Sequence, residues 1–195
     1  MLLENLISII FPQDTLTLFL QEYQRTFSHR MMPRERYQMH EKSLNLLKKK
    51  LIDLDFRNDW IPEFINHIEE CIKKDAILIL LFGSRAKRDF HKDSDIDILI
   101  VSKHLSDDVR ERASDFFSDS LPVQPFVMTP VELLERIDKL DFLVFDAFED
   151  GLILYSDMDL DSINGRLKAS KERFSLKRIK NGWNFDAAEA EEAGL

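Results

Sequence analysis

The sequence predicts an α/β domain, because short apolar runs bounded by turn residues alternate with longer stretches whose apolar residues fall at helical spacing. Ala76 to Phe82 is the longest uninterrupted apolar run and reads as a buried strand ended by Gly83-Ser84. Asp95 to Val101 reads as a second strand, Val123 to Met128 as a third, and "LILY" from Leu152 as a short fourth. Ahead of the first strand, Ile61, Phe64, Ile65, Ile68 and Ile72 follow the i, i+3, i+4, i+7 pattern, with Asp59 as N-cap and Pro62 in the first turn. That amphipathic helix should pack on the sheet. A helix from about Asp107 to Asp119 leads to the third strand. "TPVE" then supplies Thr129 as cap, Pro130 at the first helical position and Glu132 as capping-box partner of a helical stretch ending near Gly151. A basic helix is expected from about Leu160 to Lys180, followed by "GWNF", which would dock back through Trp183. Residues 1–57 lack strand-like alternation and are expected to be helical, with basic residues gathered between Arg25 and Lys50. The clearest boundary lies near residue 58, which divides the chain into a helical N-terminal segment (1–57), a main domain (58–185) and an acidic tail (186–195).

Composition narrows the function. A chain of 195 residues with 44% hydrophobic and 32% charged content can bury a sizeable core. The net charge of -9 argues against a general nucleic-acid coat, so any polyanion site must be local. One cysteine, Cys71, excludes an internal disulfide, and its place beside Ile68 and Ile72 suggests a buried thiol. The start "MLLENLISII" lacks the basic region of a secretory signal, so a cytoplasmic location is expected. No apolar run approaches the roughly 20 residues of a membrane span.

The stretch "LFGSRAKRDFHKDSDIDILIV" places carboxylates where a strand should bury isoleucine. Strand alternation puts Asp95 and Asp97 on the face of Leu99 and Val101, opposite Ile96, Ile98 and Ile100. Two adjacent carboxylates repel unless a cation lies between them, and hard oxygen ligands select Mg²⁺ or Mn²⁺, which complete their shells with water and substrate phosphates. Gly83 lets the backbone approach a ligand, while amide groups and the Ser84 hydroxyl can cradle phosphate oxygens; Arg85 and Lys87 add positive charge. Singly, each feature is commonplace. The joint pattern of Gly-Ser, ten residues, Asp, one residue, Asp arises by chance in about one chain of this length in several hundred.

Through "GSRAK" and "SDID", and more loosely "VQPFVMTPVEL" and "EDGLILYSD", residues 75 to 160 resemble the minimal nucleotidyltransferases of the DNA polymerase beta superfamily. The family is kin to aminoglycoside nucleotidyltransferases and to the antitoxin halves of HEPN/MNT pairs. The resemblance implies a small mixed β-sheet flanked by helices. Gly83 and Ser84 would hold the phosphates of a nucleoside triphosphate, and Asp95 and Asp97 two Mg²⁺ ions. The implied reaction moves a nucleoside monophosphate, AMP foremost, from ATP or another NTP to a hydroxyl of a protein, RNA end or small molecule, with pyrophosphate leaving. A weakened, nucleotide-binding partner of a HEPN-type protein is the alternative, and a homo-oligomer is compatible with either. Two positions depart from the family pattern. Arg88 stands where glycine often follows the basic residue, and Gln124 stands where a third carboxylate is common. Asp119, Asp146 and Glu149 are the acids left to fill that role, while Glu132 has a capping explanation. Other signals read blandly. Asp53 and Asp55 follow lysines rather than the apolar strand of a phosphatase loop, His91 is a solvated loop histidine, and the basic stretch from Arg166 to Lys180 is a solvated helix face. A DxD glycosyltransferase would not need the Gly-Ser pair.

Overall fold

The computed structural model describes residues 47–52, 61–91, 93–180 and 182–185. Asp59, most of the N-terminal segment and the acidic tail lie outside them. Among the described residues, six strands and six helices follow residues 47–52, which are themselves helical. They are α1 (Ile61–Lys73), β1 (Ala76–Leu81), α2 (Gly83–Ala86), β2 (Ile96–Ser102), α3 (Val109–Asp115), β3 (Val123–Met128), α4 (Pro130–Asp138), α5 (Phe142–Asp150), β4 (Leu152–Ser156), α6 (Leu160–Arg173), β5 (Lys177–Ile179) and β6 (Gly182–Asn184).

The first four strands form one sheet in the order β3-β2-β1-β4. It is mixed, since β2 runs antiparallel to β1 but parallel to β3, and β4 runs antiparallel to β1. The strand after "LLFG" must reverse beside β1, whereas β3 returns in parallel because a connection carrying α3 separates it from β2. Pro125, which has no N–H to donate, sits in the edge strand β3.

Helices cover both faces. On one, Ile96, Ile98 and Ile100 meet Ile61, Phe64, Ile68 and Ile72 of α1, the apolar stripe that predicted the helix. Leu47 and Leu51 join the same cluster, so part of the segment before residue 58 contributes to the core. On the other, Leu99, Val101 and Met128 meet Leu133 and Ile137 of α4, Val144 and Phe145 of α5, and Ile163 and Leu167 of α6. Residues such as Ile98 and Leu99 are wholly buried; each such side chain contributes about 1.5–3 kcal/mol relative to exposure. Cys71 is buried in the first cluster, where desolvation pushes its thiol up to about 12. Among the described residues, no helix is long and apolar enough to cross a membrane.

Local rules account for most element ends. The capping box is complete, with the Thr129 hydroxyl accepting from the Glu132 N–H at 3.2 Å and the Glu132 carboxylate accepting from the Thr129 N–H at 2.7 Å. The helical stretch after it is two helices, because Leu140 turns left-handed at φ 54 and the Asp141 side chain caps α5 by accepting from Leu143 N–H at 3.0 Å. The α3 helix starts at its Asp108 cap and is shorter than expected, ending at Asp115. The basic helix also stops early. Arg173 ends α6, Ser175 turns left-handed at φ 49, and the chain then forms the β5–β6 hairpin. The helix was expected to reach Lys180, but Lys177–Ile179 is a strand that pairs with Gly182–Asn184.

Arg88 also lies in the left-handed region, at φ 60. Such a backbone costs an L-residue about 1–2 kcal/mol, and glycine there loses roughly 0.5–1 kcal/mol of chain entropy. Arg88 is exposed, so Arg88→Gly is expected to raise unfolding free energy by up to about 1 kcal/mol. A denaturant midpoint that falls would show that residue 88 is not left-handed in solution.

Candidate functional site

The two central strands meet the loop between them at one end of the sheet. Leu81 pairs with Ile98, and the next backbone donor, Phe82 N–H, reaches the Asp97 carbonyl at 2.9 Å. Gly83 is therefore laid directly against Asp97. Its φ is +72, and a Cβ built there would collide with the Asp97 carboxylate, whose Cγ would lie 3.1 Å from it. Only glycine combines that backbone angle with that neighbour. The carboxylate on the buried strand is explained by this: Asp97 occupies the rim of its face, in space that a side chain at residue 83 would otherwise fill.

Asp95 precedes β2 by one residue and is exposed, whereas Asp97 is half-buried. Burial pushes the Asp97 carboxyl above the ordinary aspartate range, the charge of Asp95 pushes it further, and Arg85 pulls it back. On the neighbouring strand, Gln124 is the register partner of Asp97 and is exposed. An amide therefore stands beside the pair, where the sequence departs from the family pattern. Among the described residues, no group of three or more His, Cys, Asp or Glu side chains is placed to hold a metal ion. The acids at this end of the sheet are the carboxylates of Asp95 and Asp97, with Gln124 in register with Asp97 on the neighbouring strand. That set fits a hard divalent ion whose remaining positions go to water and phosphate oxygens.

The cations of the loop divide into two roles. Arg85 is only 4% exposed. Its Nε donates to the carbonyls of both Ser94 and Asp95 at 3.0 Å, its other guanidinium nitrogen donates to Ser94, and the plane lies 5.0 Å from the Phe90 ring centroid. Burial lowers its pKa, while Asp95 and Asp97 oppose the shift. Arg85 thereby clips together the two ends of the loop and holds the backbone that carries Asp95. Lys87, by contrast, is exposed and ion-paired with Asp150 at 3.0 Å. Ser84 is half-buried in the first turn of α2, whose leading N–H groups have no acceptor within the helix.

The remaining acids lie elsewhere. Asp146 accepts from the Trp183 indole at 2.9 Å and pairs with Arg178, and Glu149 pairs with Lys171. Glu132 caps α4 and accepts from Arg112 at 2.6 Å. Asp119 lines a depression between α1 and the loop before β3, together with His67, Cys71 and Phe117. His91 is exposed. The docking of Trp183 is as its sequence context suggested, with its ring 5.9 Å from that of Phe145. The Lys87–Asp150 link was not legible, because a pair 63 residues apart leaves no local pattern.

Residues 66–160 match the model of the family described as Polymerase beta, Nucleotidyltransferase. The matched stretch is just under half of the chain and contains Gly83, Ser84, Asp95, Asp97 and Gln124. It supports nucleotidyl transfer as the general chemistry of a nucleotidyltransferase-type domain. No curated protein matches the chain. A crystal structure from Sulfolobus solfataricus, described provisionally as a nucleotidyltransferase, is 22% identical. That match covers 58% of this chain and 87% of the other, with a TM-score of 0.34, an overlap too loose to carry an argument.

Proposed function

We propose that this chain is a minimal nucleotidyltransferase that moves a nucleoside monophosphate, AMP foremost, from a triphosphate to a hydroxyl acceptor. The observation that carries this reading is the contact of Gly83 with Asp97. A left-handed glycine and a strand carboxylate are held together by the β1–β2 pairing, which supports a backbone that would meet phosphate beside an acid that would hold metal. Asp95 and Asp97 would hold Mg²⁺ or Mn²⁺, which when bound neutralises the phosphates and activates the attacking hydroxyl. Ser84 and the amides of Gly83 and Ser84 orient the phosphates, Lys87 adds charge, and Arg85 holds the loop so that Asp95 stays beside Asp97. The acceptor is a hydroxyl of a protein, an RNA end or a small molecule.

Gln124 favours a second reading. An amide cannot take a proton as a carboxylate does, and this one stands beside Asp97. A protein that binds nucleotide but transfers slowly, and serves as partner to a HEPN-type protein, is consistent with that substitution. Incubation with labelled ATP, GTP, CTP and UTP plus Mg²⁺, alone and with lysate, separates the two. Label on an acceptor supports the enzyme, and Gln124→Glu is then expected to speed transfer, since a general base is typically worth about 10²- to 10⁴-fold. Binding without transfer, unchanged by Gln124→Glu, supports the partner protein. Absence of any nucleotide binding would remove both.

A further inference from the structure

Lys87 is tied to the far end of the chain. Its ammonium lies 3.0 Å from Asp150 Oδ2, and an Arg178 nitrogen lies 2.6 Å from that same oxygen. The other Arg178 nitrogen pairs with Asp146, whose Oδ1 also accepts from the Trp183 indole at 2.9 Å. Arg178 stacks 4.9 Å from the Trp183 ring centroid, and Trp183 rests on Phe145. The β5–β6 hairpin is thus bound to α5 through Arg178 and Trp183. The chain continues from Asp150 through Gly151, where a Cβ would lie 2.9 Å from the Leu81 carbonyl. Asp150 is therefore close against the end of β1, from which the Gly83–Lys87 turn departs.

Resting on the nucleotidyltransferase reading, we propose that Asp150 restrains Lys87 from the triphosphate. Arg178 on the C-terminal hairpin relaxes that restraint by sharing the same carboxylate oxygen, so that the hairpin sets the affinity of the site for phosphates. The electrostatics support an exchange of partners. The pair is 38% exposed at Lys87 and 27% at Asp150, and pairs this open to water contribute only about 0.2–1 kcal/mol. A triphosphate carries more negative charge than one carboxylate and can draw the lysine away. A guanidinium that shares Asp150 Oδ2 weakens the competing hold, because its rigid plane is fixed at the same time by Asp146, while the ammonium is a mobile point charge. Removing the guanidinium leaves Lys87 as the remaining cation on that oxygen, and its release becomes harder.

Titration calorimetry with Mg·ATP and with inorganic tripolyphosphate tests this on the full chain. Arg178→Gln is expected to weaken binding of both about two- to fivefold, the range of one exposed ion pair. Asp150→Asn is expected to tighten both by a similar factor, and Arg178→Lys, which keeps the charge but loses the fork, to fall between the parent and Arg178→Gln. In the Asp150→Asn background Arg178→Gln should do nothing, and in a Lys87→Met background Asp150→Asn should do nothing. Unchanged or tighter binding by Arg178→Gln overturns the proposal. So does an effect that persists without Asp150, which would reveal a general field rather than a shared oxygen. Tryptophan fluorescence reports whether the hairpin stays docked; if it undocks in Arg178→Gln, the Asp150→Asn and Lys87→Met pair decides alone. Parent protein that binds neither probe overturns the nucleotidyltransferase reading itself, whereas a parent that binds and variants that do not differ overturn only this proposal.

Discussion

Asp97→Asn is expected to make the protein without added metal slightly more stable and, in the same variant with Asp95→Asn, to abolish its response to Mg·ATP. The two effects have one cause. Burial and the charge of Asp95 raise the Asp97 carboxyl above its unfolded value. For such a group, the relative stability is fully present below the unfolded pKa and is lost as pH rises through the folded pKa. At neutral pH the parent therefore bears the cost of an ionised carboxylate beside another, and the amide relieves it. The gain should stay below about 1 kcal/mol because Asp97 is only half-buried and water screens it, and it should vanish on acidification below the carboxylate range. With Mg·ATP present the order reverses. A ligand at a hundred times its Kd stabilises the native state by about 2.7 kcal/mol, or roughly 5–10 °C in Tm for a chain of this size; two amides cannot bind the ion that the ligand brings. Thermal scans with and without Mg·ATP at two pH values check both halves. A double variant that shifts as the parent does would refute the metal assignment.

Gly83→Val is expected to cost several kcal/mol. A left-handed backbone at φ +72 is penalised by about 1–2 kcal/mol for an ordinary L-residue and by more for a β-branched one. The new side chain would also strike the Asp97 carboxylate. The carboxylate can escape only by leaving the rim, so the folded fraction of the variant should fail to bind Mg·ATP. Gly165, in the middle of α6, is the contrasting case. A Cβ there meets nothing within 4 Å, and Gly165→Ala should stabilise by about 0.5–1 kcal/mol. Urea unfolding of both, with calorimetry on the folded pool of the valine variant, distinguishes a ligand-facing glycine from a simple turn: normal affinity in that pool would mean that Gly83 shapes only the chain.

Much of this was legible because it is local. The stripe from Ile61 to Ile72, the run from Ala76, the Thr129 box and the alternation through Asp95 and Asp97 are rules that act over a few residues, and each element appears within a residue or two of its expected place. The errors arose where a short-range rule met a competing one. The helix expected to reach Lys180 stops at Arg173, because the left-handed turn at Ser175 and the Asn-Gly pair favour a hairpin that Trp183 can anchor on Phe145. Arg85 illustrates a different limit. Its position in "GSRAK" suggested a phosphate ligand, and the structure shows its guanidinium buried on the carbonyls of Ser94 and Asp95. Both uses need the same residue type, and only the fold of the loop from Ala86 to Ser94 reveals the second.

The residues from Gly83 to Asp97 occupy a single stretch of fifteen, joining the two strands that have a neighbour on either side. Amides in such strands exchange with solvent only through the most complete openings of a domain, whereas edge strands such as β3 and β4 open more cheaply. The Gly83–Asp97 contact is anchored in this slow-exchanging centre, so its geometry should persist through every partial unfolding short of the global one. Gln124 lies on an edge strand and Lys87 on the loop. Asp97 thus sits on the part of the site expected to open last, whereas Gln124 and Lys87, toward donors and acceptors, lie on parts expected to open more cheaply.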